Sequence, residues 1–432
     1  MTTATTPSSA RADLPTWLRV GVLSFGGPAG QIALMHRLLV EELRWIDERG
    51  FMAGLNFCML LPGPEAQQLA TWIGWRRAGW RGALVAGGLF VLPGMLCMLL
   101  LSAAYVTFGE LRPVSAAFLG VKCAVLSIVL EALLRIGRRA LRFGGAVWIA
   151  AAAFVAIYIL RVPFPLIVGG AAVLGYLLRA SPGVEHAPSG HALPGHLRLV
   201  AAALLAWLVP LAVVLLLTGA GSMYSRIGLF YSVVAIVTFG GAYAVLGYVA
   251  DRAVGDWGWL DARQMADGLG LAETTPGPLI LVLQFVAFVA MFQATQSAHP
   301  YALAAAAAVL GSWVLFVPSF VWIFLGGPYV ERINADERLR GALSFVTAAV
   351  VGVVLNLAVW FAMHVVFARV ERVAIGPLAI DLPVAASFDA RVLGLVALSA
   401  ALMFGLKQGI GRTLLLSALA GLALDYATGR VS

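Results

Sequence analysis

Charged residues are scarce in this chain, because Asp, Glu, Lys and Arg make up only 12% of its 432 residues. A soluble globular domain averages roughly 25%. Hydrophobic residues make up 61%, and the mean hydropathy is +0.92. These values exclude a soluble enzyme and also a disordered or fibrous chain, and they indicate a polytopic membrane protein. Each bilayer-crossing helix takes about 20 apolar residues plus a connection, so the length allows roughly a dozen crossings.

Motifs for soluble chemistry are missing as well. The three cysteines lie inside apolar runs without CxxC spacing, so they give neither a disulfide framework nor a soft-metal site. No nucleophile elbow, phosphate loop, HExxH or Asp-rich motif supports an enzyme, a metal ion or a cofactor. The net charge of +8 could favour nucleic acid, but the basic residues lie almost entirely in short loops, where they act as topology signals. We therefore expect a lipid bilayer and no nucleic acid as partner.

Apolar runs of spanning length predict an all-α membrane protein of about thirteen segments. The first thirteen residues, 1–13, lack an apolar core and are predicted to be a disordered tail rather than a signal peptide. The predicted segment cores are 16–36, 51–75, 83–106, 114–134, 146–160, 163–179, 197–219, 227–250, 264–292, 301–326, 341–367, 391–406 and 411–427.

The arginine-rich loops predict the orientation of these segments. Loop 135–142 carries four arginines and is the strongest cytoplasmic candidate. Counting outward from it places loops 76–81 and 331–340 inside and loop 293–300, which has no Lys or Arg, outside. The N-terminus is then cytoplasmic and the C-terminus lies on the outer face, with loop 369–391 as the exception to the charge rule.

Three motifs recur at one constant offset of 214 residues. Ser-Phe-Gly-Gly at 24–27 returns as Thr-Phe-Gly-Gly at 238–241, Trp-Ile-Asp at 45–47 as Trp-Leu-Asp at 259–261, and Pro-Gly-Pro at 62–64 at 276–278. Further on the offset becomes 225. The chain therefore divides into a first repeat over 14–180, a connecting segment in 181–225 and a second repeat over 226–432. Because one extra segment separates two six-segment repeats, the repeats are predicted to be inverted, which is typical of secondary transporters.

The Pro-Gly-Pro motifs cannot continue as regular helices in lipid, because the prolines remove backbone donors and the glycine weakens the helix. A half-helix that starts at Pro64 would direct free N–H groups and a positive dipole end at the break, which suits an anion. A packing kink is the alternative, and recurrence at the matched position, where Thr275 precedes Pro276, Gly277 and Pro278, argues against it. In the Phe-Gly-Gly motifs, a hydroxyl residue, Ser24 or Thr238, could donate to an oxyanion, and helix packing by small residues is an equal alternative.

Few ionisable residues lie within the segments. Lys122 is near the middle of segment 114–134, where a functional role is the default hypothesis. Glu65 follows the first Pro-Gly-Pro motif, and its repeat counterpart is Leu279. We predict that Lys122 compensates substrate charge and that Glu65 is the carboxylate coupled to the bound anion.

The chain resembles the chromate ion transporter family in its long, two-domain form. The resemblance rests on the run SFGGPAGQIALMHRLLVEELRWIDERGFMAGLNFCMLLPGPEAQQLATWIGW, followed by VAGGLFVLPG, and on TFGGAYAVL and TTPGPLI in the second half. It implies a bacterial inner-membrane protein that exports chromate, a dianion that mimics sulfate, and so confers chromate resistance. The second half departs from the pattern at Ala242 and Leu279, so equal roles for the two halves are not expected.

The resemblance and the motifs together give a predicted substrate site near the midplane. Its members are Ser24, Phe25, Gly26, Gly27, Pro28, Pro62, Gly63, Pro64, Glu65, Gln68, Lys122, Thr238, Gly240, Gly241, Thr275, Pro276, Gly277 and Pro278. Coupling to protons or to membrane potential is expected. A sulfate or other oxyanion carrier, an anion channel, and a membrane scaffold or sensor remain as alternatives, and a homodimer is open as the quaternary state.

Overall fold

The computed structural model describes residues 9–178, 196–239, 241–375 and 378–428. Its α-helices are α1 Ala10–Leu23, α2 Gly27–His36, α3 Glu48–Leu60, α4 Glu65–Phe108, α5 Arg112–Ala140, α6 Ala146–Tyr158, α7 Phe164–Leu178, α8 His196–Thr218, α9 Met223–Val237, α10 Ala242–Ala250, α11 Ala262–Thr274, α12 Val282–Ala294, α13 Pro300–Phe316, α14 Pro318–Gly326, α15 Val330–Ala335, α16 Glu337–Val366, α17 Ala390–Ala400 and α18 Ile410–Thr428. Two strands, β1 Val370–Ile375 and β2 Leu378–Pro383, pair antiparallel. Short π-helical turns extend α2, α10 and α17.

The fold is that of an all-α polytopic membrane protein. Within the described residues, six helical stretches are long and apolar enough to cross a membrane. They are Glu65–Phe108, Arg112–Ala140, His196–Thr218, Pro300–Tyr329, Glu337–Val366 and Ile410–Thr428. Shorter apolar helices add to them, so the number of crossings stays a prediction.

Four of the predicted segments are interrupted at the repeated motifs. Residues 24–26 separate α1 from α2, and residues 61–64 separate α3 from α4. In the second half, the motif that starts at Thr238 separates α9 from α10, and residues 275–278 separate α11 from the next helical turn. The helix α3 has 13 residues, and so does α11. Each is therefore about 20 Å long, short of the ~30 Å hydrocarbon core.

Two local features differ from the predictions. The helix α1 begins at Ala10, inside the predicted tail, because the Ser9 side chain accepts from the Ala12 N–H and the buried Asp13 pairs with Arg77. The hairpin of β1 and β2 was not predicted, because its residues lie in what the hydropathy pattern identifies only as a loop.

The chain forms two compact units, and each draws on both repeats. Unit 1 comprises Met1–Leu99, Ala172–Ala242 and Thr275–Leu343, and unit 2 comprises Leu100–Ala171, Tyr243–Thr274 and Ser344–Ser432. Part of the unit 1 core forms where α8 packs on α14, through Ala203, Val321 and Phe324 among others.

In unit 2, α5 packs against α11, α17 and α18. Glycines bring α5 and α18 into backbone contact, because a Cβ at Gly120 would collide with the Ser417 carbonyl oxygen and one at Gly421 would collide with that of Ala116. Small residues at such crossings let membrane helices approach closely.

Candidate functional site

The candidate site is built from four helix breaks that all lie in unit 1: residues 24–28, 61–65, 238–242 and 275–279. Each break combines the end of one half-helix with the start of another.

The Pro-Gly-Pro breaks have a backbone that only glycine adopts readily. The φ angle is 121° at Gly63 and 92° at Gly277, both in the left-handed range that residues with a Cβ avoid. Pro62 and Pro64 flank the first glycine, and helix α4 begins at Glu65, directly after the second proline. The motif therefore ends one helix, reverses the local backbone and starts the next within four residues.

The Phe-Gly-Gly breaks follow the same logic. Gly26 and Gly27 have φ angles of 85° and 68°, and α2 starts at Gly27 with Pro28 in its first turn. Gly241 has a φ angle of 99° and directly precedes α10. The glycines give the reversal and the proline suits the first helical turn.

Each Pro-Gly-Pro break is hydrogen-bonded to the Phe-Gly-Gly break of the other repeat. The Gly63 N–H donates to the Thr238 carbonyl oxygen at 2.8 Å, and the Gly277 N–H donates to the Ser24 carbonyl oxygen, also at 2.8 Å. Gly63 and Gly277 are counterparts at offset 214, and so are Ser24 and Thr238. The two bonds are therefore related by a pseudo-twofold exchange of the repeats.

Packing around the two glycines repeats this exchange. A Cβ at Gly63 would lie 3.3 Å from Ser319 Oγ, and a Cβ at Gly277 would lie 3.6 Å from Gly94 Cα. Gly94 and Ser319 are themselves repeat counterparts, at offset 225. Each break thus rests on a helix of the opposite repeat, where the facing residue is small.

A small cavity of about 20 Å³ lies between the four breaks. This volume is just above what one ordered water requires. The lining residues come from the first turns of four helical stretches and the residues just before them: Pro28, Gln31, Pro64, Glu65, Ala66, Thr238, Gly241, Ala242, Pro278, Leu279 and Ile280.

The electrostatic character of the cavity follows from these helix starts. The first N–H groups of a helix have no acceptor within the helix, and the N-terminus is equivalent to roughly half a positive charge. In α4, for example, the Gln68 N–H donates to the Pro64 carbonyl oxygen at 3.0 Å, so the groups before Gln68 precede the intrahelical pattern. Four such starts around one cavity favour a negatively charged occupant.

The structure places the predicted site residues in three groups. Pro28, Pro64, Glu65, Thr238, Gly241 and Pro278 line the cavity. Ser24, Gly63 and Gly277 hold the breaks together through their backbones, Gln68 Nε2 donates to the Pro62 carbonyl oxygen at 2.7 Å, and Thr275 is buried. Phe25 is 48% exposed and Lys122 belongs to unit 2, while Gly240 lies outside the described residues.

The hydroxyl groups of Ser24 and Thr238 have other partners than the predicted anion. Each donates to the carbonyl oxygen four residues earlier, Ser24 to Val20 and Thr238 to Val234, at 2.6 Å in both cases. Ser and Thr at helix ends commonly bond back in this way. In this conformation the main-chain N–H groups at the helix starts are therefore the better candidates for donors to an anion.

Sequence reasoning missed Gln31, which lines the cavity and is 1% exposed. Its Nε2 donates to the Gly277 carbonyl oxygen at 2.6 Å and lies 3.5 Å from the Ser24 carbonyl oxygen. A signal was present: Gln31 is a polar residue in an apolar stretch just after a break, and its counterpart at offset 214 is Val245.

The buried pair of Arg77 and Asp13 was also missed. Two hydrogen bonds of 2.9 and 3.0 Å join the guanidinium to the carboxylate, and the guanidinium carbon lies 3.7 Å from the centre of the Trp45 ring. The charge pattern identified Arg77 mainly as a topology signal of the basic loop 76–81. The partner lies 64 residues away, so no local pattern pointed to it.

In unit 2, Lys122 forms an ion pair that the sequence did not suggest. Its Nζ lies 3.6 Å from Asp267 Oδ1, and the Tyr105 hydroxyl donates to Asp267 Oδ2 at 2.8 Å. Asp267 is on α11 and is 2% exposed. The lysine therefore has a compensating carboxylate within its own unit, and its role toward a substrate stays a prediction.

Interrupted helices whose N-terminal ends meet at one cavity are typical of membrane transport proteins. The sequence profile described as "Chromate transporter" matches residues 14–176 and 225–423, and the chain belongs to this family. The chain is 33% identical over 341 residues to the chromate transport protein of Pseudomonas aeruginosa, covering 78% of this chain and 77% of that one.

Two further relatives match to a similar extent. The chromate transport protein of Cupriavidus metallidurans is 29% identical over 346 residues, covering 79% of this chain and 80% of the relative. The probable chromate transport protein of Synechococcus elongatus is 28% identical over 347 residues, covering 79% and 82%. No solved structure matches this one.

Proposed function

We propose that this protein is a secondary transporter that exports chromate from the cell and thereby confers chromate resistance. The observation that carries the proposal is the cavity in unit 1, which is lined by the starts of four helical stretches. The names of the relatives supply the substrate, because three of them are chromate or probable chromate transport proteins.

The anion would be held mainly by main-chain donors. Helix starts bind oxyanions through N–H groups and the helix dipole, without the large desolvation cost of burying an unpaired cationic side chain. Such donors suit a tetrahedral oxyanion from several sides, so sulfate is the nearest alternative substrate.

A carrier fits the cavity better than a channel does. A tetrahedral oxyanion has five heavy atoms, whereas a cavity of about 20 Å³ is just large enough for one water. The breaks must therefore separate to admit the ion. In many transporters built from repeats, one repeat or helix bundle moves against the other and so opens a fixed substrate site to each side of the membrane in turn.

Glu65 is proposed as the coupling carboxylate. It lies in the first turn of α4 and lines the cavity. The helix dipole favours its ionised form, and an arriving anion disfavours it. Binding would therefore promote protonation of Glu65, and release would reverse it. Leu279 at the matched position cannot do this, so the coupling would be confined to the first repeat.

Lys122 is proposed as a second charged group of the transport cycle. Since Asp267 already balances it, the lysine would become available for substrate charge only when this pair separates or Asp267 takes up a proton. This role and a purely structural ion pair predict different transport activities for a variant in which both Lys122 and Asp267 are replaced.

Export is the direction of transport that the membrane potential favours. Export of an anion from a cell that is negative inside is favoured by about 2.3 kcal/mol per charge per 100 mV. We place the protein in the inner membrane with its N-terminus in the cytoplasm, as the arginine-rich loops indicate, and with the two repeats inverted.

The test is uptake of chromate into everted membrane vesicles of known polarity. We expect saturable uptake that an imposed potential accelerates and that vesicles without the protein lack. Uptake linear in chromate concentration would support a channel, and equal uptake of sulfate would support a general oxyanion carrier. Absence of both flux and anion-dependent thermal stabilisation would support a scaffold and contradict the proposal.

A further inference from the structure

The cavity contains a hydrogen-bond acceptor that a purely anion-binding site would not need. Gln31 is 1% exposed, and its Oε1 has no hydrogen-bond partner among the described residues. The orientation of the amide is fixed by its surroundings, because the two groups near Nε2 are the carbonyl oxygens of Gly277 and Ser24, which only accept. The oxygen is therefore the atom that Gln31 has left for an occupant of the cavity.

A buried amide oxygen without a partner costs free energy, and folded proteins normally satisfy such an atom with a ligand or ordered water. A fully deprotonated oxyanion does not satisfy it, because such an ion presents only acceptor oxygens. A singly protonated oxyanion has one O–H donor and keeps three oxygens for the N–H groups at the helix starts. The combination of one acceptor with several donors therefore matches the protonated species.

We propose that Gln31 is a specificity-determining residue whose Oε1 accepts a hydrogen bond from a singly protonated tetrahedral oxyanion, so that the transported species is hydrogen chromate. This inference rests on the proposed function. Chromate exchanges its proton near neutral pH, whereas sulfate is fully deprotonated there. The same acceptor therefore disfavours sulfate relative to hydrogen chromate, since sites built to bind a substrate O–H discriminate against analogues that lack it.

Glu65 is the one ionisable residue among the described residues that line the cavity, and while it is ionised it is a second acceptor beside Gln31. Its carboxylate also favours a protonated ligand over a dianion by charge. Several other titratable groups on the neighbouring elements have partners of their own, and one of them is Glu273 of α11, which accepts a hydrogen bond from the Tyr243 hydroxyl. At the far end of α2, His36 contacts Glu41 and Glu48, and on α1, Asp13 pairs with Arg77. The pH dependence of binding would thus combine the titration of the substrate with that of Glu65.

The first test needs no variant of Gln31. Initial rates of chromate uptake into everted vesicles are measured across the titration of chromate in the native protein. In Glu65→Gln, which is expected to transport weakly but to keep binding, the chromate concentration that gives half-maximal thermal stabilisation is measured over the same range. Half-maximal stabilisation is expected at a constant concentration of hydrogen chromate, with the total chromate required rising as pH rises. Sulfate and selenate, both deprotonated in this range, should compete at least about tenfold more weakly than chromate, the size expected for one unmade buried hydrogen bond.

Variants of Gln31 provide the second test. Gln31→Met has a similar size but no acceptor, so the preference for chromate over sulfate should fall by about tenfold or more. Gln31→Lys keeps a donor for the Gly277 carbonyl oxygen and adds a positive charge, so sulfate should become a competitor and the pH dependence should flatten. Thermal unfolding in detergent identifies variants that fail to fold, and for these the measurements on the native protein and Glu65→Gln decide.

Three results would overturn the inference. They are half-maximal stabilisation at constant total chromate across the titration in Glu65→Gln, competition by sulfate equal to that of chromate in the native protein, and unchanged selectivity in folded Gln31→Met. If the native protein transports no chromate at all, the proposed function fails as well. Chromate transport without discrimination against sulfate would leave the proposed function intact and reject only the role of Gln31.

Discussion

The Gly63 N–H donates to the Thr238 carbonyl oxygen at 2.8 Å, across 175 residues of sequence and from one repeat to the other. The bond from Gly277 to Ser24 is its counterpart. The two bonds therefore join the four breaks in two pairs, each pair taking one break from each repeat, and movement of one break changes the position of its partner.

The glycines of the Pro-Gly-Pro breaks are predicted to be irreplaceable. Gly63→Ala forces a Cβ onto a backbone with φ of 121° and to within 2.8 Å of Gln68 Nε2. Such strained backbone costs about 1–3 kcal/mol, so thermal stability in detergent and chromate transport should both fall. Gly88→Ala is the matched control, because Gly88 is exposed, has an ordinary φ and would meet no atom within 4 Å. Equal behaviour of the two variants would contradict the prediction.

The buried pair of Asp13 and Arg77 is predicted to stabilise unit 1. Asp13→Ala leaves the guanidinium buried without its carboxylate, which typically costs about 3–5 kcal/mol. Thermal unfolding should show a large loss of stability. Arg19→Ala is the control, since Arg19 and Glu42 form an exposed pair at 3.9 Å that contributes about 0–1 kcal/mol. A small effect of Asp13→Ala would mean that water or another group replaces the carboxylate.

The two repeats are predicted to be inverted, because an odd connecting segment separates them and the arginine-rich loops exchange sides. Arg139→Cys and Gln296→Cys place single cysteines at exposed positions, in a background in which the three native cysteines are alanine. A membrane-impermeant thiol reagent should label the two variants from opposite sides of intact vesicles. Labelling of both from one side would reject the inverted arrangement.

Lys122 is predicted to act on substrate charge rather than only on Asp267. Lys122→Ala should abolish transport and, by leaving Asp267 buried without its cation, lower stability; Lys122→Arg should retain part of the activity. Adding Asp267→Asn removes the uncompensated charge, so the double variant should recover stability without recovering transport. If the double variant transports chromate normally, the pair is structural and Lys122 has no role toward the substrate.

Glu65 is predicted to couple anion movement to protons. Glu65→Gln preserves the size and most of the helix-capping ability of the side chain. We expect transport that is weak, or that has lost the pH dependence contributed by protonation of Glu65. Chromate binding should be retained in thermal-shift measurements. A normal rate with the normal pH profile would show that Glu65 only caps α4, a role that contributes about 0.5–2 kcal/mol.

The fold class, the repeated motifs and the positions of the helix breaks could all be predicted from the residues in order along the chain. Composition and hydropathy are sums over many residues, and hydrocarbon leaves few other structures for such a chain. The breaks at Gly63 and Gly277 could be predicted because proline and glycine act on their own backbone, so their effect is local. The same holds for the assignment of helix starts as candidate anion sites.

Which groups meet at the site could be learned only from the folded chain. In the sequence Gln31 is one polar residue among others. Its importance follows from the Gly277 carbonyl oxygen, 246 residues away, which accepts a hydrogen bond from Nε2 and so fixes the orientation of the amide. Ser24 was predicted as an anion donor because of its hydroxyl group, but this hydroxyl donates its hydrogen bond to a carbonyl oxygen of its own helix. Lys122 and Asp267 likewise become a pair only when α5 packs on α11. Hydrogen bonds and ion pairs depend on distances between residues far apart in the chain, and periodicity and spacing carry no such distances.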